Sequence, residues 1–316
     1  MNITIIGSGA FGTALAITYA RAGRDVTLIG RDANAMKQMD ATRLNPRLPS
    51  VELPKSIACT SEHQLSDIVL FAVPAQQLAS VAAKLSDRLK GKTLVACCKG
   101  IDLSSLEGPV ELLKGAASNS DVAILTGPSF AADIAKGLPT ALTLACKTPA
   151  TELQESLSTP TLRLYRTEDT IGAELGGALK NVVAIGAGIA IGAGLGDSAR
   201  AALMTRGFAE MQKLGSLLGA KPETLMGLSG LGDLALTCTS DLSRNFCHGI
   251  AMGRGAEGDT TKTVEGVATS IAVRKLAKQH HVELPVCEAI AAICSKEVTI
   301  DECISNLMSR PLKEER

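Results

Sequence analysis

Short apolar runs alternate with helical stretches along the first half of the chain. Asn2 to Ile6 (NITII) is β-branched and reads as a strand. The glycine-rich GSGAFG follows, then a helix over Thr13 to Ala22 that Gly23 stops, and a second strand at Asp25 to Ile29 (DVTLI). Asp67 to Val73 (DIVLFAV) is a buried strand ended by Pro74, and Gln76 to about Arg88 has helical spacing. Thr93 to Cys98, Val122 to Leu125, Leu138 to Cys146 and Leu162 to Tyr165 read as further strands, with a helix at Phe130 to Lys136. Such alternation predicts an α/β architecture with a doubly wound sheet.

After about Gly172 the period changes from two to helical. Helices are predicted over 172–193, 197–218, 243–253, 266–280, 285–296 and 301–309, with no internal repeat and only the terminal RPLKEER reading as frayed. The most unusual stretch is GAELGGALKNVVAIGAGIAIGAG, which has a single cation, Lys180, and no charged side chain from Asn181 to Gly196. Each glycine lowers helix stability by about 1 kcal/mol relative to Ala. A run this weak in propensity must be held by packing, so it reads as a buried helix pair. The uncharged segment is shorter than the roughly 20 residues of a membrane span. The predicted organisation is a dinucleotide-binding Rossmann-type domain over 1–171 and an all-α substrate-binding and catalytic domain over 172–316, with a cleft between them.

Strand, glycine turn, helix and strand at the N-terminus give the context that a GxGxxG needs to bind a dinucleotide. Gly7 makes the tight turn, Gly9 admits the pyrophosphate to the backbone, and Gly12 lets helix and strand pack closely. An NAD-selective site often places an acid after the second strand. Here Gly30 and Arg31 stand there, so Arg31 suits the 2′-phosphate of NADP, while the adjacent Asp32 keeps NAD open. Lys99 and GPSFA (Gly127 to Ala131) fall at carboxyl ends of strands, where ligands of open sheets collect. Their plainer readings are a turn lysine and, for Ser129, a helix cap. In the helical half, Asp233 follows three closely spaced glycines and reads as an N-cap or a site carboxylate. Ser243-Arg244-Asn245 opens a helix, either as a cap with a solvated arginine or as an oxyanion clamp. Glu265 reads as a capping carboxylate or a ligand contact. Lys180 itself suits either a snorkelling lysine or a catalytic one.

Composition narrows the classes. The 316 residues suit two domains, and 46% hydrophobic residues with 2% aromatic and no Trp mean cores of Ala, Val, Leu and Ile. Thirty-two basic residues balance thirty-two acidic ones, so no global field recruits nucleic acid, and an anionic ligand must be captured locally. Nine cysteines without CxxC spacing read as free thiols of a reducing, cytoplasmic compartment. His63, His248, His280 and His281 show neither metal spacing nor a triad, and no metal is expected.

The ordered set GSGAFGTALA, VPAQQL, CKGI, GPSFAADIAKG, LKNVVAIGAGI, ARAALMTRGFAEM, GLSGLGDLALTC, SRNFCHG and TVEGV resembles bacterial-type NAD(P)-dependent glycerol-3-phosphate dehydrogenase, over Met1 to about Met308. The resemblance implies hydride transfer from NADPH or NADH to dihydroxyacetone phosphate, giving sn-glycerol 3-phosphate, a glycerophospholipid precursor. It implies Lys180 as the catalytic lysine and Lys99, Gly127, Ser129, Asp233, Ser243, Arg244 and Asn245 as substrate contacts. Ala10, Phe11, Arg31, Lys99, Ala131, Arg244, Val264 and Glu265 match cofactor contacts. The chain departs from the family pattern at Ala10-Phe11, where Ser-Trp is common, at Ile191 in place of an aspartate, and at Ser198 in place of an asparagine. A dehydrogenase of a β-hydroxyacid on the same plan, and a catalytically silent NAD(P) sensor, are the alternative readings. The Gly/Ala-rich helices also suit a homodimer interface.

Overall fold

A computed structural model of the chain describes residues 2–256 and 263–309, so the terminal run predicted as frayed lies outside the described residues. The first part comprises β1 (Asn2–Ile6), α1 (Ala10–Arg21), β2 (Asp25–Ile29), α2 (Ala33–Thr42), β3 (Ile57–Thr60), β4 (Ile68–Phe71), α3 (Ala75–Leu89), β5 (Thr93–Ala96), α4 (Pro109–Ala116), β6 (Asp121–Thr126), α5 (Ala131–Lys136), β7 (Thr140–Cys146), α6 (Thr151–Leu157) and β8 (Leu162–Thr167). These strands form one eight-stranded sheet in the order β3-β2-β1-β4-β5-β6-β7-β8. It is parallel except between β6 and β7. Strands such as IVLF in β4 are buried on both faces, as a sheet covered by helices requires.

The sequence reading omitted β3, α2, α4 and α6. It also began α1 too late: the helix starts at Ala10, inside the glycine fingerprint, with Gly9 as its N-cap.

The second part is helical: α7 (Thr170–Gly192), α8 (Gly196–Leu218), α9 (Pro222–Met226), a π-turn (Leu228–Gly232), α10 (Asp233–Cys238), α11 (Arg244–Gly253), α12 (Glu265–Gln279), α13 (Pro285–Cys294) and α14 (Ile300–Met308). Asp169 starts α7, accepting from the Gly172 amide at 2.8 Å. The other predicted helices fall within two residues of these bounds; the apolar helix expected after Asp233 is α10, while α9 and the π-turn were not predicted.

Helix α7 is the axis of this part, buried along nearly its whole length. Two of its glycines, Gly188 and Gly192, serve contact with α11. A Cβ on Gly188 would lie 2.1 Å from the Phe246 carbonyl oxygen, and one on Gly249 would lie 2.1 Å from that of Ile185. Only bare Cα atoms permit that backbone approach. The small-residue face read as suited to a dimer is thus occupied within the chain. At 23 residues α7 is long and apolar enough to cross a membrane by length and composition, so shortness does not exclude a span; its burial, 89% of the apolar window, marks it as a core helix. Ile191 packs against the same core, and Ser198 is exposed on the first turn of α8, so these two departures alter packing and surface.

Candidate active site

The strand order reverses between β1 and β4, and their carboxyl ends open a crevice. Gly7 leaves β1 at φ +117°, and a Cβ on it would sit 2.5 Å from the Ala72 carbonyl oxygen. A Cβ on Gly12 would lie 2.1 Å from the Gly7 oxygen, so α1 rests directly on the turn. Gly9 is different: a Cβ there would meet nothing within 4 Å. This open ground lies at the start of α1, where no side chain caps the helix and the amides of Ala10, Phe11 and Gly12 have no partner inside it. A cradle of backbone donors with the positive end of a helix fits a pyrophosphate.

The end of β2 bears on which dinucleotide fits. A Cβ on Gly30 would lie 2.3 Å from Met36 Sδ and 2.6 Å from Ser8 Oγ, so both side chains would have to move aside for an acid. The Asp32 carboxylate caps α2, accepting from the amides of Asn34 (2.9 Å) and Ala35 (3.0 Å). Arg31 between them is exposed and suits a 2′-phosphate.

Across the crevice, α7 presents Lys180, 7% exposed, beside Asp233, 1% exposed. Lys180 Nζ donates to Thr237 Oγ1 at 2.7 Å and lies 3.1 Å from Asp233 Oδ1. Thr237 Oγ1 donates in turn to Asp233 Oδ1 at 3.1 Å. The other carboxylate oxygen receives Lys99 Nζ at 2.5 Å, and Lys99 also donates to the Gly127 carbonyl at 2.9 Å. One carboxylate thus holds two ammoniums that come from different parts of the fold.

Burial lowers the Lys180 pKa, Asp233 raises it and Lys99 lowers it again, leaving it at about 8 instead of 10.5. For Asp233, burial pushes upward, but Lys180 and Lys99 outweigh it and hold the carboxyl below its usual range. Asp233 is no N-cap. It is the first residue of α10, and its side chain turns into the site because the preceding π-turn redirects the backbone. Such turns are common at functional sites.

The remaining predicted residues are placed as follows. Ser129 is not a cap: its hydroxyl donates to the Gly127 carbonyl at 3.1 Å, and Ala131 opens α5 behind it. Ser243 is buried and caps α11, accepting from the Phe246 amide at 3.2 Å. Arg244 is exposed on the first turn. The Asn245 side chain joins three helices, donating to Asn181 Oδ1 at 2.8 Å and accepting from the Gly266 amide at 3.0 Å. Val264 precedes α12 as its N-cap without a side-chain bond. Glu265, rather than capping its own helix, accepts from the Ala75 amide at 3.3 Å at the start of α3, so it links the two parts of the chain. Burial raises the Glu265 pKa, and Arg244 counteracts it.

Two residues of this cluster escaped the sequence reading. Thr237 was legible as the position one turn after Asp233 on the same helical face. Asn181 was legible as an amide in an uncharged, buried run, which must find a partner.

Comparison with known proteins gives the family. Family models described as the N-terminus and the C-terminus of NAD-dependent glycerol-3-phosphate dehydrogenase match residues 2–152 and 169–305. A glycerol-3-phosphate dehydrogenase (NAD(P)+) of Cereibacter sphaeroides is 55% identical, covering 99% of this chain and 100% of its own. One from Paracoccus denitrificans is 52% identical, with full coverage of both. The crystal structure of glycerol-3-phosphate dehydrogenase from Coxiella burnetii superposes with a TM-score of 0.93 at 33% identity, covering 98% of this chain and 99% of that one. The likeness therefore runs over the full length of these enzymes, through both the sheet and the helical part. The chain belongs to the NAD-dependent glycerol-3-phosphate dehydrogenase family.

Proposed function

We propose that the protein reduces dihydroxyacetone phosphate to sn-glycerol 3-phosphate, a glycerophospholipid precursor, with Lys180 as proton donor. The single observation that carries this reading is a buried lysine, held by Asp233 and Thr237 and joined through Asp233 to Lys99, which follows the carboxyl end of β5. NADPH or NADH, when bound, supplies the hydride to the carbonyl carbon. Gly7, Gly9, Ala10, Phe11 and Gly12 would hold its pyrophosphate and Arg31 a 2′-phosphate, with Lys99, Ala131, Arg244, Val264 and Glu265 as further contacts.

The residues of the chain manage the proton. Lys180 Nζ gives its proton to the carbonyl oxygen as that oxygen gains negative charge, forming the new hydroxyl and leaving a neutral amine. A lysine near pKa 8 is charged at neutral pH yet gives up its proton more readily than an exposed one. Asp233 keeps it charged and aimed, while Lys99 favours both proton release and the developing oxyanion. Ser243, Arg244 and Asn245 at the start of α11, with Gly127 and Ser129 opposite, would take the substrate phosphate and its hydroxyl. Exclusion of bulk water follows from the burial of Lys180 and Asp233. Cytoplasmic location and a homodimer belong to the same reading, the latter through surfaces other than the α7–α11 contact; sedimentation measures it.

The test is initial-rate kinetics with dihydroxyacetone phosphate and either nucleotide. Lys180→Ala should lose about 10²–10⁴ in kcat while binding the nucleotide normally. A variant that keeps near-normal kcat would remove Lys180 from the chemistry.

A further inference from the structure

Lys180 is flanked by two charges that its own helix does not carry. Lys99 arrives from the segment after β5 and Asp233 from the end of the π-turn. Both approaches run over the turn of α7 that immediately precedes Lys180, and that turn reads Gly176-Gly177. A Cβ on Gly176 would lie 2.6 Å from the Ser229 carbonyl oxygen and 3.0 Å from Gly230 Cα, the backbone of the π-turn that delivers Asp233. A Cβ on Gly177 would lie 2.7 Å from Thr126 Oγ1 and 3.3 Å from Lys99 Cγ. Thr126 Oγ1 is buried and has no hydrogen-bond partner, so packing alone seats it against α7.

The geometry points to Gly176 and Gly177 as positioning residues, a two-sided seat on which the carboxylate and the second ammonium of the site are separately set against Lys180. Gly176 fixes the approach of Asp233 and Gly177 that of Lys99. The distances of 3.1 Å from Lys180 to Asp233 and 2.5 Å from Lys99 to Asp233 follow from these two backbone gauges. Neither glycine touches a reacting atom; each acts through another residue.

The two halves of the seat have opposite electrostatic consequences. The groups acting on Lys180 are Asp233 and Cys238 on α10, Lys99 after β5, and Glu265 at the start of α12, with Arg244 on α11 next to Glu265. Asp233 raises the Lys180 pKa and Lys99 lowers it. A methyl group at 176 should lift the π-turn, weaken the hold of Asp233 and let Lys180 titrate at lower pH. A methyl group at 177 should push Lys99 back and let Lys180 titrate at higher pH. Alanine improves intrinsic helix propensity over glycine, so neither effect can come from a weakened helix.

The experiment titrates the Lys180 ammonium directly, by ¹³C NMR of lysine Cε carbons with Lys180→Arg used for assignment, in the full-length protein. Wild type is compared with Gly176→Ala, Gly177→Ala, Thr126→Ala and the Gly177→Ala/Thr126→Ala pair. The midpoint should fall by about 0.5–1 pH unit in Gly176→Ala and rise by a similar amount in Gly177→Ala. Adding Thr126→Ala should return the Gly177→Ala midpoint towards wild type, because it removes the nearer obstruction. Unchanged midpoints, shifts of the same sign, or failure of Thr126→Ala to compensate would overturn the proposal. If Gly176→Ala does not fold, the Gly177 arm and its compensation decide alone. Rates rest additionally on Lys180 as proton donor, and the readouts separate the two ideas. Midpoints that move as stated while the kcat/KM profile does not follow would uphold the seat and sink the proton-donor assignment.

Discussion

Neutralising Asp233 without changing its volume isolates what its charge does. In Asp233→Asn the two ammoniums of Lys99 and Lys180 face each other with no carboxylate between them. Wild-type Lys180, with its pKa at about 8, is about three-quarters charged at pH 7.5. An opposite charge within 4–6 Å is worth about 1–3 pKa units, and the 3.1 Å separation puts Asp233 inside that range. Its removal should bring Lys180 to roughly 5–7, so that between about one quarter and one in 300 molecules holds the proton at pH 7.5. If Lys180 donates that proton, kcat/KM for dihydroxyacetone phosphate should drop on the order of 3- to 200-fold at pH 7.5 and recover progressively as the pH is lowered to 5.5. The folded protein should also lose about 3–5 kcal/mol, because a buried pair has been broken from one side. The assay is a pH series of initial rates, with nucleotide affinity and melting temperature followed in parallel. A loss of the same size at every pH would mean that Asp233 positions groups without tuning Lys180.

The sheet was legible because its central strands are continuous apolar runs bounded by Gly or Pro, a signal that requires no knowledge of their neighbours. The fingerprint and the lone cation of α7 were legible for the same reason: each is unusual within its own window. What was missed depends on contacts from elsewhere. Helix α2 buries only Met36 and Met39 and has little periodicity, and the four-residue β3 exists because β2 offers it an edge. Helix α4 is eight residues long, and its first turn is completed by Glu174 of α7, whose carboxylate accepts from the Val110 amide at 2.6 Å. The reading of Asp233 as a cap failed because an acid before an apolar helix gives the same local signal whether it caps or turns inward. The deciding partners, Lys99 and Lys180, lie far away in the chain. Backbone events such as the π-turn leave no periodic trace, although the glycines at 227, 230 and 232 marked the place.

Three further perturbations test separate parts of the picture. Burial raises Glu174 to about 7, with Glu111 adding to it and the Val110 amide, Lys114 and Lys147 opposing. A carboxyl whose folded pKa exceeds its unfolded 4.5 stabilises most below 4.5 and loses that contribution as the pH rises through 7. Glu174→Gln should therefore gain about 1–3 kcal/mol relative to wild type at pH 8 and nothing at pH 4.5, by chemical denaturation; an equal difference at both would refute the shift. Arg31→Ala should raise KM for NADPH far more than for NADH, since glycine stands at position 30 and Asp32 is held as a cap; equal effects would mean that Arg31 does not meet the 2′-phosphate. Arg244 decides whether the start of α11 is a phosphate clamp. It is the exposed member of its triplet, while Ser243 and Asn245 are already engaged in holding the helix and its neighbours. If its guanidinium grips the substrate phosphate, Arg244→Ala should cut kcat/KM for dihydroxyacetone phosphate by about 1.5–3 kcal/mol and leave the slow reduction of dihydroxyacetone nearly unchanged. The two substrates and two enzymes form a double cycle, in which energy from the remote phosphate appears as coupling in kcat as well as KM. Equal losses for both substrates would show that Arg244 acts on the nucleotide or on Glu265 instead.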